Sequence, residues 1–367
     1  MMLREQLDRQ TREATELSIP LDRNRVQCVA CGHRCSISPG FAGVCKVRFN
    51  REGKLYAPWG YVSGAYCDPI EKKPFFHALP GARAFSFGML GCDLHCGYCQ
   101  NWVSSQALRD VRSTMDFTSA SPEQLVRMAR QQGAAAIVST YNEPLITAEW
   151  AVSVFLEARK AGLVTGFVSN GNATPEVLRY IRPWVDLYKV DLKSFDDRHY
   201  HELGGRIGPI LDAIRMIHEM GFWLEIVTLI IPGFNDSDEE LSRMAAFIAG
   251  ISPDIPWHVT AFHEDYKMLG PGDTPPGTLV RAAAIGRAAG LRYVYAGNLP
   301  GRTGALEDTR CPACANTVIE RRGFRVLRNR LEASGACPDC GTSIPGFWSA
   351  AAPTPEPRSD LLNIFCG

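Results

Sequence analysis

Three cysteines, Cys92, Cys96 and Cys99, fall within the stretch GCDLHCGYCQN, and no fourth follows closely. Close cysteine spacing in a reduced chain points to metal binding or catalysis. An iron–sulfur cubane is normally held by four thiolates, one per iron. A C-x3-C-x2-C loop supplies three and leaves one iron without a protein ligand. An open position lets a metal bind a reactant, whereas a fully ligated metal is structural. The same spacing also fits a zinc site completed by His95 or by a distant residue.

Two further cysteine groups flank this loop. Cys311-x2-Cys314 and Cys337-x2-Cys340 are two knuckles separated by TVIERRGFRVLRNRLEASG, which predicts a hairpin. Each x2 turn brings two thiolates to one metal, so a tetrahedral Zn2+ is expected there. The basic residues of the hairpin read either as a solvated strand face or as an RNA contact. Cys28, Cys31, Cys35 and Cys45 are less regularly spaced, with His33 as a further candidate ligand. Zn2+ would make this group a stabilising cap, and an auxiliary iron–sulfur cluster would let it relay electrons. Cys67 and Cys366 stand alone and read as incidental.

The elements that must hold these residues follow from the hydrophobic pattern. Runs rich in β-branched and aromatic residues predict strands at AFSFGML, AAAIVST, LVTGFVSN, VDLYKVDLK, WLEIVTLI, WHVTAF and RYVYAG. Helical patterns lie between most of them. SPEQLVRMARQQG opens with Ser121 as N-cap, Pro122 at the first helical position and Glu123 in the first turn, and Thr147 and Thr174 are candidate caps for the next two helices. Regular βα alternation over about 220 residues implies a parallel sheet, doubly wound or curled into a full or partial barrel. In either, ligands gather at the C-terminal strand ends. The cysteine loop, YNEP, SNGN, DLKSFD, IPGFND and FHEDYK all follow predicted strands there.

The flanks divide the chain into a Cys-rich metal-binding segment (1–80), a βα barrel (81–304), a zinc-ribbon-like module (305–347) and a flexible Pro-rich tail (348–367). Lys+Arg and Asp+Glu number 39 each, which gives no electrostatic footprint for nucleic acid or an anionic membrane. No run approaches the roughly 18 apolar residues of a membrane span. The charged N-terminus MMLREQLDRQTREATEL has no signal-peptide core. A cytoplasmic protein is expected, and its 13 cysteines read as metal or catalytic residues rather than disulfides.

The Cys-x3-Cys-x2-Cys loop, with the aromatic Tyr98 before its last cysteine, resembles the signature of the radical S-adenosylmethionine (SAM) superfamily. DPIEKKPFFHALPG, YNEP, VDLYKVDLKSF, IPGFND and YVYAGNLPG extend the likeness from Cys28 to Pro345. Together they resemble the radical enzyme of the AmmeMemoRadiSam system, a subgroup related to glycyl-radical (pyruvate formate-lyase) activating enzymes. The resemblance implies a radical SAM (βα) barrel and a 4Fe–4S cluster on Cys92, Cys96 and Cys99. It implies reductive cleavage of S-adenosylmethionine to a 5′-deoxyadenosyl radical that abstracts hydrogen from a substrate. An electron donor such as flavodoxin or ferredoxin, and Memo-like and Amme-type proteins, are the implied partners.

The same resemblance assigns residues to the nucleotide. Tyr98 lies near the adenine. Glu143 takes the place of the carboxylate that receives the nucleotide's ammonium, although Tyr141 and Asn142 stand where the family has glycines; Asn142 is counted with the same contacts. Ser169 and Asn170 face the ribose. Lys193 meets the nucleotide's carboxylate, Asp191 is placed to hold a monovalent cation, and His263 reaches for the same carboxylate. Read alone, Glu143-Pro144 is also an ordinary helix start, Lys193 a solvated charge and Asp191 a cap. Two other functions stay in view: a glycyl-radical activase acting on a partner protein, and a zinc-ribbon scaffold or RNA-binding module without catalysis.

Overall fold

The computed structural model describes residues 3–348; Cys366 and the rest of the Pro-rich tail from 349 onward lie outside the described residues. The centre is one eight-stranded sheet. Its strands are β1 (Gly64–Pro69), β2 (Arg83–Gly88), β3 (Ala134–Ser139), β4 (Val164–Ser169), β5 (Leu187–Asp191), β6 (Trp223–Ile230), β7 (Trp257–Ala261) and β8 (Val294–Gly297). They lie side by side in chain order. From β2 to β8 every neighbouring pair is parallel, and β1 runs antiparallel to β2. The expected full or partial barrel is therefore a partial one, with β1 and β8 as its edges. All seven strands expected from the sequence are present. The eighth, β1, has the polar, turn-like sequence GAYCDP and carries no strand signal.

Six helices cover the outer face: α1 (Pro122–Gln131), α2 (Ala148–Lys160), α3 (Pro175–Ile181), α4 (Ile207–Glu219), α5 (Asp238–Ile251) and α6 (Pro276–Ala288). The caps expected at Ser121 and Thr174 form, Ser121 in a reciprocal capping box with Gln124 and Thr174 accepting from Val177 N at 3.1 Å. Thr147 does not cap α2; a 3-10 turn over Pro144–Thr147 precedes it, and Glu143 caps that turn instead. The YNEP segment thus winds straight into helix, which fixes the direction of Glu143. Among the described residues no helix is long and apolar enough to cross a membrane.

The gap between β1 and β8 is crossed by residues 70–80. Phe76 N and His77 N donate to the buried Glu225 of β6 at 3.0 and 2.9 Å, and His77 Nε2 meets Tyr295 Oη of β8 at 2.6 Å. The C-terminal three-stranded sheet, β9 (Thr309–Arg310), β10 (Thr317–Arg322) and β11 (Arg325–Asn329), packs on that crossing. Arg321 donates to Phe76 O at 2.7 Å. At the other end of the chain, two small antiparallel sheets within residues 11–58 lie against the strand-end loops. Gly91 marks one contact: a Cβ there would meet Val47 Cγ1 at 2.8 Å, and its φ of 94° suits glycine alone.

Candidate active site

The C-terminal strand ends surround two adjoining cavities, both open to solvent on one side. The loop after β2 lines both, through Cys96 and Cys99, and Cys92 faces the first. Its path is set from several sides: His95 N donates to Leu203 O at 2.9 Å, Lys267 N to Gly97 O at 2.8 Å and Gln106 Nε2 to Leu94 O at 3.1 Å. Burial pushes the Cys96 thiol up to about 11 and raises those of Cys92 and Cys99. Such thiols become thiolates only with a compensating cation. His95 does not complete a zinc site. Its side chain is exposed and packs over Gly204, where a Cβ would lie 2.2 Å from His95 Cε1.

Glu143 faces the first cavity from the β3 side. Its carboxylate accepts from Leu145 N at 3.1 Å, Ser169 Oγ at 2.7 Å and Asn170 N at 2.7 Å. Burial, reinforced by the nearby Asp93, raises its pKa to about 8. A buried carboxyl so poised favours a cationic ligand. Asn142 lines the same cavity, with its Oδ1 accepting from Met89 N at 3.0 Å and its Nδ2 donating to Glu143 O at 3.2 Å. Asn170 Nδ2 donates to Asp93 Oδ1 at 2.7 Å. Tyr141 keeps the left-handed turn with a φ of 70°. Its hydroxyl accepts from the buried Lys73 at 2.9 Å, and Lys73 also binds Asp68 at 3.0 Å.

Asp191 and Lys193 lie on the ridge where the two cavities meet. Lys193 Nζ is 3.4 Å from Asp191 Oδ2, and Lys189 Nζ holds Oδ1. Although burial disfavours its charge, Asp191 and Cys96 hold the Lys193 ammonium well above its ordinary range. Asn235 of IPGFND accounts for that motif: its Nδ2 donates to Lys193 O at 2.7 Å and to Leu229 O at 2.8 Å. Tyr98 is buried along the second cavity beside Leu229 and Thr260. His263 is not brought into either cavity. It is exposed, with its Nε2 2.8 Å from Gln100 Nε2, because the loop after β7 runs outward over the cysteine loop.

The flanking cysteines differ from one another. Cys311 and Cys340 sulfurs are 3.5 Å apart, those of Cys314 and Cys337 3.8 Å, and all four lie within 4.8 Å. That set fits a single metal ion. Cys28, Cys31 and Cys45 are buried and Cys35 half-buried. Burial raises the thiols of Cys31, Cys35 and Cys45, and each also feels Cys28. His33 Nε2 donates to Asp93 O at 3.1 Å.

The family model of the radical SAM superfamily matches residues 88–245, which hold the cysteine loop, Glu143 and the Asp191–Lys193 ridge. An uncharacterized protein of Methanocaldococcus jannaschii is 34% identical over 327 residues, covering 88% of this chain and 96% of that one. The chain belongs to the radical SAM superfamily. Radical SAM proteins are enzymes that use S-adenosylmethionine and an iron–sulfur cluster, and the three thiols, cation-seeking carboxyl and ammonium described above suit both. The pyruvate formate-lyase-activating enzyme of Staphylococcus aureus is 26% identical over 206 residues, 52% of this chain and 80% of that one. A solved domain of such an enzyme from Bacteroides vulgatus superposes with a TM-score of 0.40 at 21% identity, over 45% of this chain and 100% of that one.

Several residues of this radical SAM site escape a reading of the sequence alone. Asp93, 1% exposed, joins the cysteine loop to Asn170 and Asn172, yet its only signal is its place beside Cys92. Lys73 and Asp68 are far from Tyr141 in the chain. Lys189 had a usable signal: it and Asp191 are two apart on one strand, so they share a face.

Proposed function

We propose that this radical SAM enzyme cleaves S-adenosylmethionine reductively and abstracts hydrogen from its substrate. The observation that carries the reading is the convergence of Cys92, Cys96 and Cys99 with Glu143 and Lys193 around one cavity. The three cysteines would hold a 4Fe–4S cluster, which when bound supplies the electron for cleavage to methionine and a 5′-deoxyadenosyl radical. Glu143 accepts the ammonium of the nucleotide's amino-acid end, and Lys193 faces its carboxylate. Ser169 and the Asn170 backbone aim Glu143. Tyr98, with Leu229 and Thr260, offers an apolar wall to the adenine.

Around this centre, the C-terminal quartet holds a structural Zn2+ and the N-terminal group a second metal centre. The protein works in the cytoplasm, draws electrons from a flavodoxin or ferredoxin, and acts with Memo-like and Amme-type proteins. Similarity to pyruvate formate-lyase-activating enzymes supports a second reading, an activase that removes hydrogen from a glycine of a partner protein. Anaerobically reconstituted protein given dithionite should release 5′-deoxyadenosine, and Cys96→Ala should not. Fully clustered protein that releases none overturns the reading.

A further inference from the structure

Asp191 is held from both sides by ammonium groups of the chain itself. Lys189 Nζ takes Oδ1, and Lys193 Nζ lies 3.4 Å from Oδ2. Lys189 is only 4% exposed, on the inner face of β5 two residues before Asp191. A buried ammonium without a counter-charge is strongly unfavourable, so Lys189 and Asp191 need each other. The arrangement conflicts with the expectation that Asp191 holds a monovalent cation. Such an ion would face two like charges.

We infer that Lys189 is a resident counter-cation: it fills the Oδ1 side of Asp191 and positions the Asp191–Lys193 pair, so that nucleotide binding needs no dissolved monovalent cation. The inference rests on the reading that this cavity takes S-adenosylmethionine. Lys189 acts through Asp191 and is a positioning residue.

The test is equilibrium dialysis of radiolabelled S-adenosylmethionine against anaerobic, cluster-loaded protein in choline, potassium or ammonium chloride at equal ionic strength. Wild type should bind equally in all three, within about twofold. Lys189→Ala should bind about tenfold more weakly in choline and recover in potassium or ammonium chloride, and Lys189→Arg should follow wild type. A wild type that needs potassium, an alanine variant unchanged in choline, or a loss that neither cation repairs each overturns the inference. If wild type binds no nucleotide in any salt, the reading of the cavity fails instead. The melting temperature of nucleotide-free protein then decides: potassium or ammonium should raise it for Lys189→Ala and not for wild type, and an equal response in both overturns the counter-cation role.

Discussion

Arg321 of the C-terminal hairpin lies 3.6 Å from Glu71 in the segment that crosses the sheet gap, and both side chains are fully buried. The pair ties the four-cysteine module to the wall of the cavity. Arg321 also donates to Thr309 Oγ1 and to Phe76 O, each at 2.7 Å. Removing one member of a buried pair leaves the other charge uncompensated. Arg321→Met is expected to lower stability by about 3–5 kcal/mol, read from urea unfolding. A loss no larger than that of an exposed arginine, such as Arg198→Met, would show that the tie carries no weight.

Glu143 should couple nucleotide binding to pH. Its folded-state pKa is raised to about 8 by burial and by Asp93. An ordinary glutamate loses its proton near 4.3. A carboxyl with a raised folded pKa gives stability that is full below the ordinary value and is lost as pH rises through the folded one. The melting temperature of nucleotide-free wild type should therefore fall between about pH 4.5 and 8, more steeply than that of Glu143→Gln. An ammonium ligand lowers the pKa, so S-adenosylmethionine should release a proton on binding at pH 7. Titration calorimetry in buffers of different ionisation enthalpy measures that release, and equal heats in all buffers would count against it.

Much of the scaffold was legible because its strands are β-branched and its helices carry strong start signals such as Ser121-Pro122 and Thr174-Pro175. The location of the site was legible too, because in parallel βα folds the strand ends converge. What the pattern hid was long-range pairing. No local rule links Lys73 to Tyr141 or Glu71 to Arg321, and β1 forms from a polar segment only because β2 offers it an edge. His263 misled for a related reason: a residue just after a strand can follow its loop away from the cavity. Glu143 reads equally as a cap and as a ligand group, and the structure shows it capping the turn while its side chain lines the cavity.

Tyr141 occupies a left-handed backbone position that an aromatic residue rarely tolerates, at a φ of 70°. Such strain costs on the order of 1–3 kcal/mol and persists when surrounding contacts hold it. The contact here is the hydrogen bond from Lys73 at 2.9 Å. Tyr141→Phe keeps the backbone and ring but leaves a buried ammonium one acceptor short. It is expected to lower stability by about 1–3 kcal/mol in urea unfolding. Nucleotide affinity should be unchanged, because the hydroxyl points to Lys73 and not to Glu143. A variant as stable as wild type would mean the tyrosine is held by packing alone.

The C-terminal quartet should behave as an independent metal site. Tetrahedral Zn2+ with bonds of about 2.3 Å places its sulfurs about 3.8 Å apart. The Cys311–Cys340 and Cys314–Cys337 separations of 3.5 and 3.8 Å match that figure. Cys311 and Cys337 also share one apolar cluster with Phe76, Tyr293 and Tyr295, so a bound metal would support the segment that crosses the sheet gap as well as the hairpin. Elemental analysis should find one zinc more per chain in Cys92→Ala than in Cys337→Ser. The second variant should melt several degrees below wild type, since about 1 kcal/mol shifts the midpoint of a chain this size by a few degrees. Equal zinc in the two variants, or an unchanged melt in Cys337→Ser, would separate the quartet from the support it is expected to give.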